Sequence, residues 1–163
     1  MRFHAATRVL VGLLAATWLG LIPSGAQAQG GGQACSPKVQ SFLQASGFTY
    51  TTHNATTWSI DLKRDNVGAL KVIISCGTDI VVVFDILAKK AGIQKTAQFY
   101  EALARANHDY DFVKVCLDKD GDLGLRIDLI PRLTDVATFK DAVNQVANVS
   151  NDWYPKISAF VKR

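Results

Sequence analysis

The chain has 163 residues, 48% of them hydrophobic and 20% charged, with 18 Lys and Arg against 14 Asp and Glu for a net charge of +4. That length suits one domain with a short appendage, and its spread of apolar residues excludes a disordered chain, a collagen-like repeat or a coiled coil as descriptions of the whole. The basic excess would suit nucleic acid, but half of it, Arg2 and Arg8, lies at the N-terminus.

Residues 1–28 join those two arginines to an apolar run from Val9 to Ile22 and then to Ala26-Gln27-Ala28. This is the three-part pattern of a secretory signal peptide, with cleavage expected between Ala28 and Gln29. A membrane anchor needs about 20 apolar residues, more than the run supplies, and Cys35 lies too far beyond it for lipid attachment to be expected. Cleavage predicts a periplasmic or secreted protein with no stable membrane insertion. Losing Arg2 and Arg8 lowers the charge from +4 to +2, too little for a nucleic-acid footprint.

Residues 29–35 (QGGGQAC) read as a flexible leader, and 36–163 as one folded domain. Ser36-Pro37 is a helix start, because Ser accepts amides of the first turn and Pro needs no partner there. Val39, Phe42 and Leu43 share a helical face, and Gly47 supplies the stop. From Thr49 the period becomes two: Trp58, Ile60 and Leu62 alternate with polar residues, and Leu70, Val72 and Ile74 share one side of the next strand. Asp79–Leu87 is apolar on both faces until Asp85, which predicts a strand near the sheet centre. These three strands predict an antiparallel meander.

Thr96–Asn107 predicts a helix with Phe99, Tyr100 and Leu103 facing inward. Two alternating runs, Phe112–Leu117 and Asp122–Leu129, flank Asp118-Lys119-Asp120-Gly121 and predict a hairpin. The tail from Thr134 is helical, with Pro155 expected to kink or restart it. The order is helix, three strands, helix, hairpin, helix: an α+β domain without the βαβ alternation of a doubly wound fold.

Export would place Cys35, Cys76 and Cys116 in an oxidising compartment, where either one pair bonds and one thiol stays free or all three remain reduced. No C-x-x-C spacing supports a redox or zinc site. Asp118 to Asp122 superficially suggests a calcium loop, but the sixth and twelfth positions, Leu123 and Leu129, are not the required Gly and Glu. There is no G-x-S-x-G, no H-E-x-x-H and no phosphate loop. No catalytic residue, metal ligand or cofactor site is expected.

The stretch Asn107-His108-Asp109-Tyr110-Asp111-Phe112-Val113-Lys114-Val115, with Leu117-Asp118, Asp120-Gly121-Asp122-Leu123 and Arg126-Ile127-Asp128-Leu129, resembles the YbjN-type domain of bacteria. The resemblance extends over 36–160 and rests on turn, strand and cap residues. It implies a compact α+β fold similar to type III secretion chaperones, in a family of sensory transduction regulators without established enzyme activity. It also implies a protein or peptide partner, a homodimer being one form of it. Many such proteins look cytoplasmic, so the signal peptide is a departure. With that topology and the first helix antiparallel to the first strand, a right-handed crossover would bring Cys116 to the end of the sheet where the Cys35 end of that helix lies, which favours Cys35–Cys116 as the disulfide.

The function expected is therefore an exported, non-enzymatic domain that binds a protein or peptide. The rival is a small periplasmic hydrolase or ligand-binding enzyme with a site near His108, Asp109 and the strand carboxylates, which requires a deep pocket there. A third reading, an envelope structural protein, differs by lacking a concave apolar patch.

Overall fold

The computed structural model describes residues 32–162, so the expected signal peptide and its Ala28–Gln29 junction lie outside the described residues. The first helix, α1 (Gly32–Ser46), begins four residues before the expected start and carries Pro37 within it. Gly32–Cys35, expected in the flexible leader, is thus helical, and Cys35 is buried against the sheet. Gly47, at φ +80°, ends the helix as expected.

The strands are β1 (Thr51–Asn54), β2 (Thr57–Arg64), β3 (Gly68–Cys76), β4 (Val81–Ala88), β5 (Lys114–Leu117) and β6 (Leu123–Leu129). They form one sheet in the order β1-β2-β3-β4-β6-β5, antiparallel at every pairing. The meander β2–β3–β4 and the hairpin β5–β6 match expectation. β1 is an addition: all four of its side chains are exposed, so it carries no buried alternation.

Helix α2 (Ala97–Asp109) is capped by Thr96, whose hydroxyl accepts from the Phe99 amide at 3.2 Å. Phe99 is fully buried, but Tyr100 is half exposed, against expectation. Helix α3 (Val136–Ile157) is capped by Asp135, which accepts from the Thr138 amide at 2.8 Å. That bond, with the helix N-terminus behind it, holds the Asp135 carboxyl below the usual carboxylate range. α3 runs straight through Pro155 instead of restarting. Proline removes the bond to the carbonyl four residues back, Asn151, and that carbonyl accepts instead from Asn66 Nδ2 at 3.1 Å.

α1 and α3 cover one face of the sheet, where Trp58, Ile60, Val72, Ile74, Val83, Leu125 and Ile127 meet Val39, Phe42, Phe139, Val143 and Val146. The Phe42 and Phe139 rings lie 5.6 Å apart. α2 packs beside β5 and α3.

The cysteine expectation needs correction. Cys35 is bonded to Cys76, with Cα atoms 6.0 Å apart, and Cys116 keeps its thiol. As expected, β5 runs parallel to β4, so Cys116 lies at the β4 exit. The error came from β1. This extra strand reverses the chain once more between α1 and β2, so α1 starts at the end of the sheet where β3 finishes with Cys76.

The outer edge of β5 is closed by a side chain. Asn107, near the end of α2, donates from Nδ2 to the Val115 carbonyl and accepts on Oδ1 from the Val115 amide, both at 2.9 Å. One carboxamide therefore pairs both outward-facing backbone groups of Val115, as a neighbouring strand would. Asn107→Ala is expected to cost about 1–3 kcal/mol in chemical denaturation, the penalty for unpairing partly buried backbone groups. Light scattering should also show concentration-dependent association of the variant, because an open edge invites strand addition.

Candidate functional site: the open face of the sheet

The face turned away from α1 and α3 carries no helix among the described residues. Strand alternation places Ile73 and Ser75 of β3, Val82, Phe84 and Ile86 of β4, and Gly124, Arg126 and Asp128 of β6 on it. Ile73 pairs directly with Phe84, Ser75 with Val82, and Ile86 with Gly124. The four large apolar residues thus form one contiguous stripe across the central strands. Each is only half-buried, and none belongs to the core cluster.

Two hollows flank the stripe and share Ile86. One, about 500 Å³, is lined by Val82, Phe84, Ile86, Cys116 and Arg126 among others. The second, about 410 Å³, lies between Asp61, Lys71, Ile73 and Ile86. Gly124 deepens the first hollow, since opposite Ile86 it projects no side chain.

Each rim carries ion pairs. On one rim Lys71 Nζ meets Asp61 at 2.7 Å across the β2–β3 register. On the other, Asp128 accepts from Lys114 Nζ at 2.8 Å and from Arg126 Nε at 2.9 Å. Partial burial alone would raise the Asp128 carboxyl, but the hydrogen bonds from Lys114 and Arg126 outweigh it and hold the group below its ordinary value. Beyond β2, His53 Nε2 sits 2.8 Å from the Ser59 hydroxyl.

Cys116 stands at the edge of the larger hollow. Burial pushes its thiol up, with only partial relief from Arg126. A thiol so shifted has less thiolate at neutral pH, the opposite of an activated nucleophile.

The residues of the rival enzymatic reading are not gathered. His108 and Asp109 are exposed in the last turn of α2, and neither lines any of the cavities described. Asp122 is engaged elsewhere: it accepts from Lys89 Nζ and from the Lys90 amide, each at 2.8 Å, and these bonds lower its pKa. Asp118 turns its carboxylate onto the amides of Asp120 and Asp122 at 2.9 Å, so the acidic loop is a self-bonded hairpin tip. Among the described residues no group of three or more His, Cys, Asp or Glu is placed to hold a metal.

The stripe itself escaped the sequence reading. Its signal is present, because Asp79–Leu87 is apolar on both faces, but that pattern marks a central strand without telling which face the helices leave bare.

The sheet with its helices on one side is a fold found elsewhere. The crystal structure of YbjN from E. coli superposes with a TM-score of 0.54 at 15% identity, covering 78% of this chain and 95% of that one. A chain of the ExoU–SpcU heterodimer from the type III secretion system of Pseudomonas aeruginosa gives 0.51 at 14% identity, covering 76% and 98%. The ExsC–ExsE complex gives 0.54 at 10%, covering 76% and 93%. At these identities the likeness is one of fold. No curated protein sequence matches the chain. The YbjN family model, described as "Putative bacterial sensory transduction regulator", matches residues 38–159. Spanning everything from the second turn of α1 to the end of α3, that match makes the chain a member of the YbjN family.

Proposed function

We propose that this protein is an exported binding module that acts by holding an apolar segment of a protein partner on the open face of its sheet, without catalysis. The observation that carries the reading is the stripe of Ile73, Val82, Phe84 and Ile86, contiguous, partly exposed and bordered by paired charges. An apolar centre with a polar rim is the common anatomy of protein interfaces. The similar folds solved as ExoU–SpcU and as the HopA1–SchA chaperone–effector complex are support by likeness, since those chains are seen with protein partners. Export rests on residues 1–28, and the Cys35–Cys76 disulfide is in keeping with an oxidising compartment.

Phe84→Asp tests the reading. With a photo-crosslinking residue at position 82, the wild-type chain expressed with its leader should trap a discrete adduct in periplasmic extract, and Phe84→Asp should lose most of it. Phe84 lies outside the core cluster, so thermal unfolding of the variant should stay close to wild type. An adduct made only of two copies of the chain would identify the partner as self. Equal crosslinking by wild type and Phe84→Asp would remove the open face from consideration. The mass of the recovered chain checks export: it should begin at Gln29.

A further inference from the structure

α1 holds two competing start signals. Ser36-Pro37 is built to begin a helix, with a capping hydroxyl followed by a residue that has no amide to satisfy. The folded chain begins α1 at Gly32 nonetheless, one turn earlier, and Pro37 then lies inside the helix. There it offers no N–H to the carbonyl of residue 33, so the first turn is joined to the rest of α1 by a weakened ladder.

The two parts of α1 are also anchored differently. From Val39 onward the helix is held by its core: Val39, Phe42 and Leu43 are buried, Phe42 packs on Phe139, and Lys38 donates to the Pro131 carbonyl. Ahead of Pro37 the buried anchor is Cys35, tied covalently to Cys76 at the end of β3. A cleft of about 560 Å³, walled by Ile80, Ile130, Pro131 and Arg132, reaches Cys35 from outside.

We propose that the Cys35–Cys76 bond is a redox latch that selects where α1 begins: at Gly32 when the bond is made, and at Ser36–Pro37 when it is reduced. The reductant is a dithiol. One of its thiolates attacks the Cys35 sulfur through the cleft, forming a mixed disulfide and releasing Cys76 as a thiolate. Its second thiol then attacks the mixed disulfide and leaves as the cyclic disulfide, releasing Cys35. Two electrons pass to the protein, and each freed sulfur takes a proton from water. The turn 32–35 swings away about Pro37, Ser36 takes up the cap, and the wall formed by Ile80 and Ile130 is uncovered. Cys116, at the other end of the sheet, takes no part.

Hydrogen exchange with and without dithiothreitol tests the latch, on the chain from Gln29 carrying Cys116→Ser so that two thiols are counted. Reduction should speed exchange of the residue-35 and residue-36 amides, the ones of the first turn able to bond one turn back, about tenfold or more, a local opening. Peptides covering 39–46, β4 and β6 should stay unchanged. The double variant Cys35→Ser/Cys76→Ser should show the same pattern without reductant. Unchanged exchange at residues 35 and 36 after verified reduction would overturn the proposal, because the turn would then hold without the bond. Equal loss of protection in β4 and β6 would overturn it too, since the bond would then staple the whole fold.

Discussion

Gly124→Ala should destabilise the protein by about 1–3 kcal/mol, the range for forcing an extra carbon into a packed site, and Gly124→Val by more. A Cβ at position 124 would stand 2.6 Å from the backbone carbonyl oxygen of Asp85. That atom belongs to the neighbouring strand and cannot rotate away as a flexible side chain could. β4 and β6 are adjacent, with Asp85 opposite Leu125 and Ile86 opposite Gly124, and their register shifts just beyond, between Ile86 and Ala88. The close approach therefore sits beside a local break in the ladder. Urea denaturation at neutral pH is the measurement. A variant as stable as wild type would mean that β4 and β6 do not approach this closely. Gly121→Ala, by contrast, would strain a backbone at φ +85° in an exposed tip, so its cost should be confined to the hairpin.

The second large effect is expected from Ser150→Ala. Asp85 is a carboxylic side chain buried to 2% exposure on the helix-covered face of the central strand. The Ser150 hydroxyl, itself fully buried, lies 2.8 Å from Asp85 Oδ2 and 2.7 Å from the Val146 carbonyl. Deleting it removes a buried hydrogen bond to a group costly to hold out of water, and about 1–3 kcal/mol should be lost. Ser150→Thr, which keeps the hydroxyl, should retain more stability than alanine if the methyl group fits. The double variant Ser150→Ala/Asp85→Asn gives the coupling: its cost should fall short of the two single costs added together, because both remove one contact. Strict additivity would show that the serine and the carboxylate do not act on each other.

These two predictions meet at one residue, and Asp85 also marks the limit of what the sequence disclosed. The alternation of Leu123, Leu125, Ile127 and Leu129 placed β6 with its buried face correctly, because burial on one face leaves a period of two. The Asp-Gly hairpin and the Thr96 helix start were legible for a similarly local reason. β1 was not, since a strand exposed on every side chain has no apolar pattern to display. Its omission reversed the polarity of α1 and so misassigned the partner of Cys35. Pro155 misled because its lost hydrogen bond is made good from Asn66, distant in sequence and near only in the fold. The open face was half legible: its apolar content could be read, but which face the helices leave bare depends on how α1 and α3 dock. Asn107 could be placed at a helix end, whereas its pairing with Val115 required the turn between α2 and β5 to be known.

That pairing has a consequence for assembly. A six-stranded sheet has two margins, and here they are unequal: the β5 side is sealed at Val115 by Asn107, while β1 at the other side has no neighbouring strand on its outer backbone among the described residues. Copies that joined by strand addition could therefore use only one margin each. Two molecules meeting β1 to β1 consume both available margins, so growth ends at a closed pair with twofold symmetry and cannot run on into a fibre. A single carboxamide thus sets an upper bound on how many sheets can be sewn together.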